Sequence, residues 1–198
     1  MTIYDKALNT LAEPRRKTTS SKRKTASIGF DKFFTPSWEL TTDFRSQKKD
    51  GTRPRPVSGG LIVPQQLDFN HNEFDAALIY QHEKVQLRLG TYFSDFENDN
   101  DLVLGTAAEP GNSFYQVNAT GGYTINGTSR ATAYLSYSEG KQDDKFSNYG
   151  INSGTYSTNS LDAKFDTLNF QLGYRNRITR KFYIDAKYRL ESRSNDTP

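Results

Sequence analysis

The residues of this chain that could do chemistry are charged side chains at alternate positions of otherwise apolar segments. They are Arg88, Arg175, Asp185, Lys187, Arg189 and Glu191. A spacing of two places side chains on one face of a β-strand. An isolated charge is costly in hydrocarbon, so that face must meet water or protein. We interpret the six residues as lumen-facing candidates for contact with a partner, and the alternative is a generic solvated face.

Catalytic and metal chemistry find little support. The absence of Cys excludes disulfides, thiolate metal sites and covalent haem attachment. His71 and His82 are eleven positions apart without clustered ligands, and no grouping of nucleophile, base and acid can be picked out. The acidic stretches around Asp99 and Asp143 lack the ligand spacing of a Ca²⁺ loop. We expect no catalytic, cofactor-binding or metal residue and no enzyme activity, so any haem would be carried by a partner.

The elements that position these side chains are four predicted β-hairpins, indicated by strict alternation of apolar and polar residues. The predicted apolar positions are Ala26, Ile28, Phe30, Trp38, Leu40, Thr42 and Phe44; Phe74, Ala76, Leu78, Tyr80, Val85, Leu87, Leu89, Thr91 and Phe93; Tyr115, Val117, Ala119, Gly121, Tyr123, Ile125, Ala131, Ala133, Leu135 and Tyr137; and Leu168, Phe170, Leu172, Tyr174, Phe182, Ile184, Ala186, Tyr188 and Leu190. The Asn126-Gly127 dipeptide predicts a tight turn whose central residues have positive φ.

The chain divides into hairpins and polar connections. The predicted membrane-spanning region, 24–192, contains hairpins at 24–45, 67–94, 114–138 and 164–191, joined by long outer loops at 46–66, 95–113 and 139–163. Residues 1–23 are predicted to be a polar loop or partial leader, and 193–198 to begin a further loop.

Strand length favours a membrane barrel over a soluble sheet. No segment approaches the roughly 20 consecutive apolar residues of a membrane-spanning helix. The predicted strands have about 9 to 12 residues, near the length that a tilted strand needs to cross a bilayer, whereas soluble strands average about five or six. Tyr and Phe near the strand ends suit the headgroup level. We predict an all-β fold, an antiparallel up-and-down transmembrane β-barrel segment of about eight strands, in the bacterial outer membrane.

Loop lengths predict the orientation of the hairpins. Outer-membrane barrels have short periplasmic turns and longer outer loops. On that orientation both ends of the chain lie outside, whereas bacterial barrels normally have both termini on the periplasmic side. The basic amino terminus also lacks the apolar core of a signal peptide. We therefore expect the sequence to be a section of a larger barrel.

One stretch carries a family resemblance. Its residues are Pro64, Asp68-Phe69, Glu73-Phe74-Asp75, Ala77-Leu78-Ile79-Tyr80, Val85, Leu89-Gly90 and Tyr92-Phe93-Ser94-Asp95-Phe96, within the segment from Val63 to Phe96. This segment resembles the MtrB/PioB-type family of decahaem-associated outer-membrane barrels, and so does the segment from Asn112 to Tyr123 with its hairpin to Tyr137.

The resemblance implies a structural sheath. Such a barrel holds a periplasmic multihaem c-type cytochrome in its lumen, often with a second cytochrome docked at the outer surface, and itself does no redox chemistry. Its other contacts would be with outer-membrane lipid. Two alternatives stay open: a general porin or transporter barrel, and a soluble β-rich binding module in which the segments Phe74–Tyr80 and Phe182–Leu190 form a core. The net charge of +3 is scattered and gives little support to nucleic-acid binding.

Overall fold

The computed structural model describes residues 19–57, 61–99, 109–144 and 160–197. Within these ranges the chain forms eight strands. They are β1 (Ser21–Thr35), β2 (Trp38–Val57), β3 (Leu61–Gln81), β4 (Val85–Asn98), β5 (Asn112–Asn126), β6 (Ser129–Gln142), β7 (Ala163–Arg177) and β8 (Tyr183–Asn195). They form one sheet in which each strand pairs with its neighbours in chain order, and every pair is antiparallel. The predicted up-and-down arrangement of eight strands is confirmed.

Strand register gathers the apolar residues on one side of the sheet, which we call the apolar face. Directly opposed residues of an antiparallel pair point to the same side. One continuous row crosses from β2 to β8 through Leu40, Leu78, Leu89, Ala119, Leu135, Phe170 and Leu190. A slip of one residue would move the whole apolar set of a strand to the other side. The grouping of all these apolar side chains on one side of the sheet therefore requires this register.

Nothing in the described part of the chain covers the apolar face. Leu89 is 57% exposed, and Leu172, Ile184 and Leu190 are 47%, 42% and 42% exposed. The buried apolar residues of the described ranges are only Leu67 and Ala77. The soluble alternative requires a core that these residues do not form. A large uncovered apolar surface of this kind indicates a membrane or a partner.

Aromatic side chains border the apolar face at both ends. At the end where the predicted long loops lie, Phe44, Phe74, Phe93 and Tyr115 are successive cross-strand partners. At the other end the rings of Trp38 and Tyr80 have centroids 4.8 Å apart. The six-residue separation of Trp38 and Phe44 corresponds to about 20 Å along a strand. Two such rows match the aromatic girdles at the interfaces of a bilayer.

Short turns join the strands at one end, which we call the short-turn end. Thr35 Oγ1 accepts hydrogen bonds from the backbone N–H groups of Ser37 and Trp38, each at 3.2 Å. In the third hairpin Asn126 Oδ1 accepts the N–H of Thr128 at 2.9 Å. The prediction of positive φ at Asn126 and Gly127 is wrong, because neither has it. A register shift near Ile125 places Gly127 and Thr128 in the turn instead, and the Asn126 side chain stabilises it.

The predicted loop at 46–66 is also wrong, since most of it belongs to strands. β2 extends to Val57 and β3 begins at Leu61, and the two pair along this whole length. The physical reason is that alternation marks only the part of a strand that has one apolar side. Beyond Phe44 both sides of β2 are polar, so the periodic signal fades although backbone pairing continues.

Gly51 lies where β2 outlasts its neighbour β1. Its φ is 139°, a conformation that favours glycine. A Cβ at this position would overlap the backbone of Ser20. Beyond it, Thr52 donates its N–H to the Ser20 carbonyl at 2.8 Å, and the pairing with β1 ends. Among the described residues, the β2–β3 hairpin then extends beyond the end of β1 as a two-stranded ribbon.

Three prolines lie within this extended ribbon, with Pro54 directly opposite Pro64. Along a strand, N–H groups two residues apart point to the same edge. The N–H of Thr52 points toward β1, so the N–H groups that Pro54 and Pro56 lack would also have pointed to this outer edge. On the other strand, the Asp68 carbonyl accepts the N–H of Asp99, so Pro64 points toward the side of β4, which ends at Asn98. None of these prolines therefore removes a hydrogen bond between β2 and β3.

The remaining strand ends also reach beyond their predicted bounds. β1 begins at Ser21, β4 continues to Asn98, β6 to Gln142 and β8 to Asn195. These extensions are mostly polar, with Phe96 as the exception, so the alternation of apolar and polar residues does not continue into them. The middle parts of the predicted loops 95–113 and 139–163, and residues 1–18 of the predicted leader, lie outside the described residues.

Substitution of adjacent residues on the two sides of β7 tests the assignment of the apolar face. Phe170→Arg, in the central row, should lower the free energy of unfolding of the full barrel in lipid vesicles by about 2–4 kcal/mol, because hydrocarbon solvates a guanidinium poorly. Gln171→Arg places the same charge on the opposite side and should cost about 1 kcal/mol or less. Urea unfolding measures both, and equal losses would contradict the assignment.

Candidate functional site: the charged face of the sheet

The side of the sheet opposite the apolar face carries most of the charged residues of the strands, and we call it the charged face. All six candidates from the sequence lie on it, because their positions alternate with apolar ones in every strand concerned. Arg88 and Arg189 occupy the same cross-strand row, which runs through Thr120, Tyr134 and Gln171. Register thus places the six on one surface.

Five of the six candidates come together on β7 and β8. Arg175 donates to the carboxylate of Asp185 from Nη2 at 2.7 Å and from Nε at 3.2 Å. Lys187 Nζ approaches the same carboxylate at 3.9 Å. Arg189 and Glu191, two residues apart on β8, form an ion pair at 2.6 Å. The hairpin turn after Arg177 brings the first strand's arginine opposite Asp185.

Arg88 lies apart from this group. β4 and β7 are three strands apart, or about 14 Å at the spacing of a sheet. Arg88 instead contacts Asp75 at 3.7 Å and donates to Asn118 Oδ1 at 3.0 Å. Alternation alone identified the correct face but contained no information on lateral separation.

A second ion-pair group on β2 to β4 was not singled out from the sequence. Arg45 pairs with Glu73 at 3.6 Å, and Tyr92 donates its hydroxyl to Glu73 at 2.9 Å. Like Arg88, these residues alternate with the apolar positions of their strands, so the alternation of the sequence is consistent with the charged face for all of them. Their mutual pairing depends on register, which becomes visible only when the strands are aligned.

Positive charge exceeds negative charge on the charged face of the described strands. The basic residues are Arg23, Arg45, Lys49, Arg53, Arg55, Arg88, Arg130, Arg175, Arg177, Lys187, Arg189 and Arg193. The acidic residues are Asp31, Glu39, Asp43, Glu73, Asp75, Asp185 and Glu191. Most of the ion pairs are partly exposed, so each contributes about 1 kcal/mol or less to stability. Their main effect is on the electrostatic field of the surface.

Aromatic rings form a second feature of the charged face, toward its long-loop end. We call Phe69, Phe96, Phe114 and Phe165 the aromatic shelf. The Phe69 and Phe96 rings have centroids 5.4 Å apart, and the Phe114 ring lies 6.1 Å from that of Tyr92. The Phe165 ring covers Gly140, where a Cβ would overlap it, and the guanidinium of Arg193 lies 4.9 Å above its centroid. All four shelf residues are half-buried.

An ion pair ties the β4–β5 connection to the extended ribbon. Arg53 donates to the Glu109 carboxylate and, from Nε, to Gln65 Oε1 at 2.8 Å. Asn98 Nδ2 donates to the Glu109 carbonyl at 2.7 Å. Burial raises the pKa of Glu109, but the Arg53 hydrogen bond and the nearby positive charges outweigh it and hold this pKa below its ordinary value.

The two histidines are engaged in other contacts. His71 Nε2 lies 2.9 Å from Ser94 Oγ, and the His82 ring faces that of Tyr80 at 6.4 Å. Among the residues that the structure describes, no group of three or more His, Asp or Glu side chains could hold a metal ion.

One depression of the described surface lies on the apolar face, with a volume of about 530 Å³. Its lining includes the small residues Ala76 and Ala119 and the leucines Leu78 and Leu135. The exposed surface of this lining is mainly apolar, which suits an acyl chain better than a polar ligand. The charged face is therefore the candidate functional surface.

Comparison with known proteins identifies the family. The family model of outer membrane β-barrel porins named MtrB/PioB matches residues 5–198. The chain belongs to the MtrB/PioB family. Its location is therefore the outer membrane. In outer-membrane barrels the apolar side of each strand faces lipid and the polar side faces the lumen. No helix in the described ranges is long and apolar enough to span a membrane.

Two solved outer-membrane proteins are similar in fold. In-vitro folded OmpT of Vibrio cholerae has a TM-score of 0.43 and 9% identity, over 86% of this chain and 54% of that protein. A variant of OmpT lacking loop L8 has a TM-score of 0.42 and 9% identity, over 85% of this chain and 59% of that one. The MtrB/PioB chain thus spans little more than half the length of the solved barrels. No curated protein matches it significantly.

The pairing of Arg53 with Glu109 predicts a pH dependence at the long-loop end. Because the Glu109 pKa is depressed in the folded protein, this pair stabilises the attached loop above the ordinary Glu range and is lost as pH falls through the depressed pKa. Arg53→Gln should raise the Glu109 pKa, so the loss occurs at higher pH. Carboxyl ¹³C shifts of labelled Glu in the full barrel measure the midpoint.

Lys49→Gln, on the same strand and face, is the matched control and should leave the Glu109 midpoint in place. The stability change should stay at about 1 kcal/mol or less, since both partners are partly exposed. A Glu109 midpoint that is unchanged by Arg53→Gln would contradict the role of the guanidinium.

Proposed function

We propose that this chain forms part of the wall of an outer-membrane sheath that holds a periplasmic multihaem c-type cytochrome in its lumen. Electrons would cross the membrane along the haems of that cytochrome, and the wall would keep them apart from lipid. The chain contributes no redox or catalytic chemistry in this scheme. Family membership supports the barrel, and the composition of the charged face supports a protein inside it.

The observation that carries the proposal is the aromatic shelf on the lumen side. A water-filled channel has a polar interior. Phenylalanine rings that are only half-buried on that side would leave apolar surface in contact with water, which is unfavourable. Phe96 lies beside the His71 ring, with the two centroids 6.2 Å apart. Phe114 lies beside Tyr92, which donates its hydroxyl to Glu73, so flat apolar surface adjoins polar and charged side chains. A mixture of aromatic rings and charges is typical of protein contact surfaces.

The absence of Cys supports the assignment of haem to the partner, since covalent c-type attachment requires thiols. His71 is hydrogen-bonded to Ser94, which makes it a poor axial ligand in this arrangement. Below the shelf, the sheet presents a continuous apolar layer to the bilayer. The wall therefore suits insulation and positioning.

The extended β2–β3 ribbon supports a second contact, with a cytochrome at the outer surface. It rises beyond β1 and β4 on the long-loop side, which is the outer side in barrels with short periplasmic turns. Arg53 holds it against the β4–β5 connection through Glu109. A ribbon so braced could support a docked protein.

A general porin is the second candidate function, and the excess of positive charge on the lumen side favours it as well. A water-filled lumen with this lining would attract anions and repel cations. Under this alternative the aromatic shelf would pack only against loops of the barrel itself, and no partner protein would be needed.

Purification of the tagged full-length protein from native outer membranes separates the two functions. The sheath predicts a haem-staining protein that stays with the barrel in near-equal amount, and little ion conductance in planar bilayers because the lumen is filled. A haem-free barrel that conducts with anion preference would contradict the sheath and support the porin. Heat-modified mobility on gels verifies that the purified barrel is folded.

A further inference from the structure

Basic residues concentrate on the lumen side of β6, β7 and β8. We call Arg130, Arg175, Arg177, Lys187, Arg189 and Arg193 the cationic strip. The acidic residues on the same side of these strands are Asp185 and Glu191. The charged face of the described parts of β6, β7 and β8 therefore carries six cationic side chains and two carboxylates.

The strip is not neutralised by its own contacts. Arg175 and Lys187 share the single carboxylate of Asp185. Arg130 is the direct cross-strand partner of Arg175, and like charges in that position are destabilising. The side chains of Arg175, Lys187 and Arg189 are 69%, 78% and 63% exposed. An arrangement of this kind gains stability when an external anionic group approaches.

The other ion pairs of the charged face differ from the strip. On β2 to β4, Arg45 faces Glu73 and Arg88 faces Asp75, one cation to each carboxylate. The excess on β6 to β8 is therefore local. Arg193 adds a fixed point, because its guanidinium lies over the Phe165 ring of the aromatic shelf.

We propose that the cationic strip is the docking surface for an acidic face of the lumen protein, rich in Asp and Glu side chains. This inference rests on the proposed function and adds the place and the charge of the contact. Lys187 and Arg193 are six residues apart on β8, about 20 Å along the strand. That length exceeds what one small anion can neutralise and fits a protein surface. Complementary charge would also orient the partner during assembly.

Neutral substitutions within the strip test the proposal. Lys187→Gln and Arg193→Gln, alone and together, are introduced into the full-length barrel expressed with its native partners. Lys181→Gln, in the turn of the same hairpin, removes equal charge outside the strip and is the matched control. The readout is haem absorbance per folded barrel after washing at increasing salt concentration.

We expect each strip substitution to weaken retention of the haem protein by up to about fivefold at moderate salt, since an exposed ion pair contributes no more than about 1 kcal/mol. The double variant should release the partner at lower salt than either single variant, because screening removes what is left of the attraction. Lys181→Gln should behave as wild type. This pattern would support the proposal.

Two outcomes would overturn it, and they are distinguishable. If the haem protein copurifies with every variant at every salt concentration, the sheath stands but the contact lies elsewhere. If wild-type barrel carries no haem protein at any salt concentration, the proposed function fails and this inference fails with it. Equal weakening by Lys181→Gln would count with the first outcome, because it would show a general effect of charge.

Discussion

A peptide group surrounded by hydrocarbon has no water to bond, so each N–H and C=O that crosses a bilayer must find a partner within the protein. In this chain those partners lie on neighbouring strands, in one ladder that continues from β1 to β8. The ladder determines strand direction and spacing before any side chain is considered. The side chains then determine only which of the two sides of the sheet faces lipid, because apolar and polar residues alternate along each strand.

As a result, the two faces of the sheet are stabilised by different interactions. On the apolar face, Leu89 and Leu172 are stabilised by lipid and not by a protein core, which is why they remain exposed in the isolated sheet. On the charged face, Arg175 and Asp185 are stabilised by water and by each other. A sheath of the proposed kind would depend on keeping these two environments apart, since haem insulation and partner contact would require opposite surfaces.

The alternation of the sequence was sufficient to predict the four hairpins and the grouping of most of their apolar positions on one face of the sheet. It failed between Ser46 and Gln66, because polar residues occupy both faces of β2 beyond Phe44 and β3 begins with the consecutive apolar residues Leu61, Ile62 and Val63, so neither strand alternates there. It also failed at Asn126, where a bulge shifts the turn by one position. The pairing of Glu73 with Arg45, and the separation of Arg88 from Arg175, depend on register and strand count, which no single strand reveals.

In the described part of the chain no strand pairs with the outer edges of the extended β2–β3 ribbon, and an unpaired edge is normally a template for a foreign strand. Pro54 and Pro56 remove the donors along one of these edges, and Pro64 removes one along the other. An invading peptide would find acceptors there but few amide hydrogens to match them. The prolines therefore disfavour aggregation through these edges. They allow the ribbon to extend beyond the neighbouring strands without pairing with a second copy of the chain.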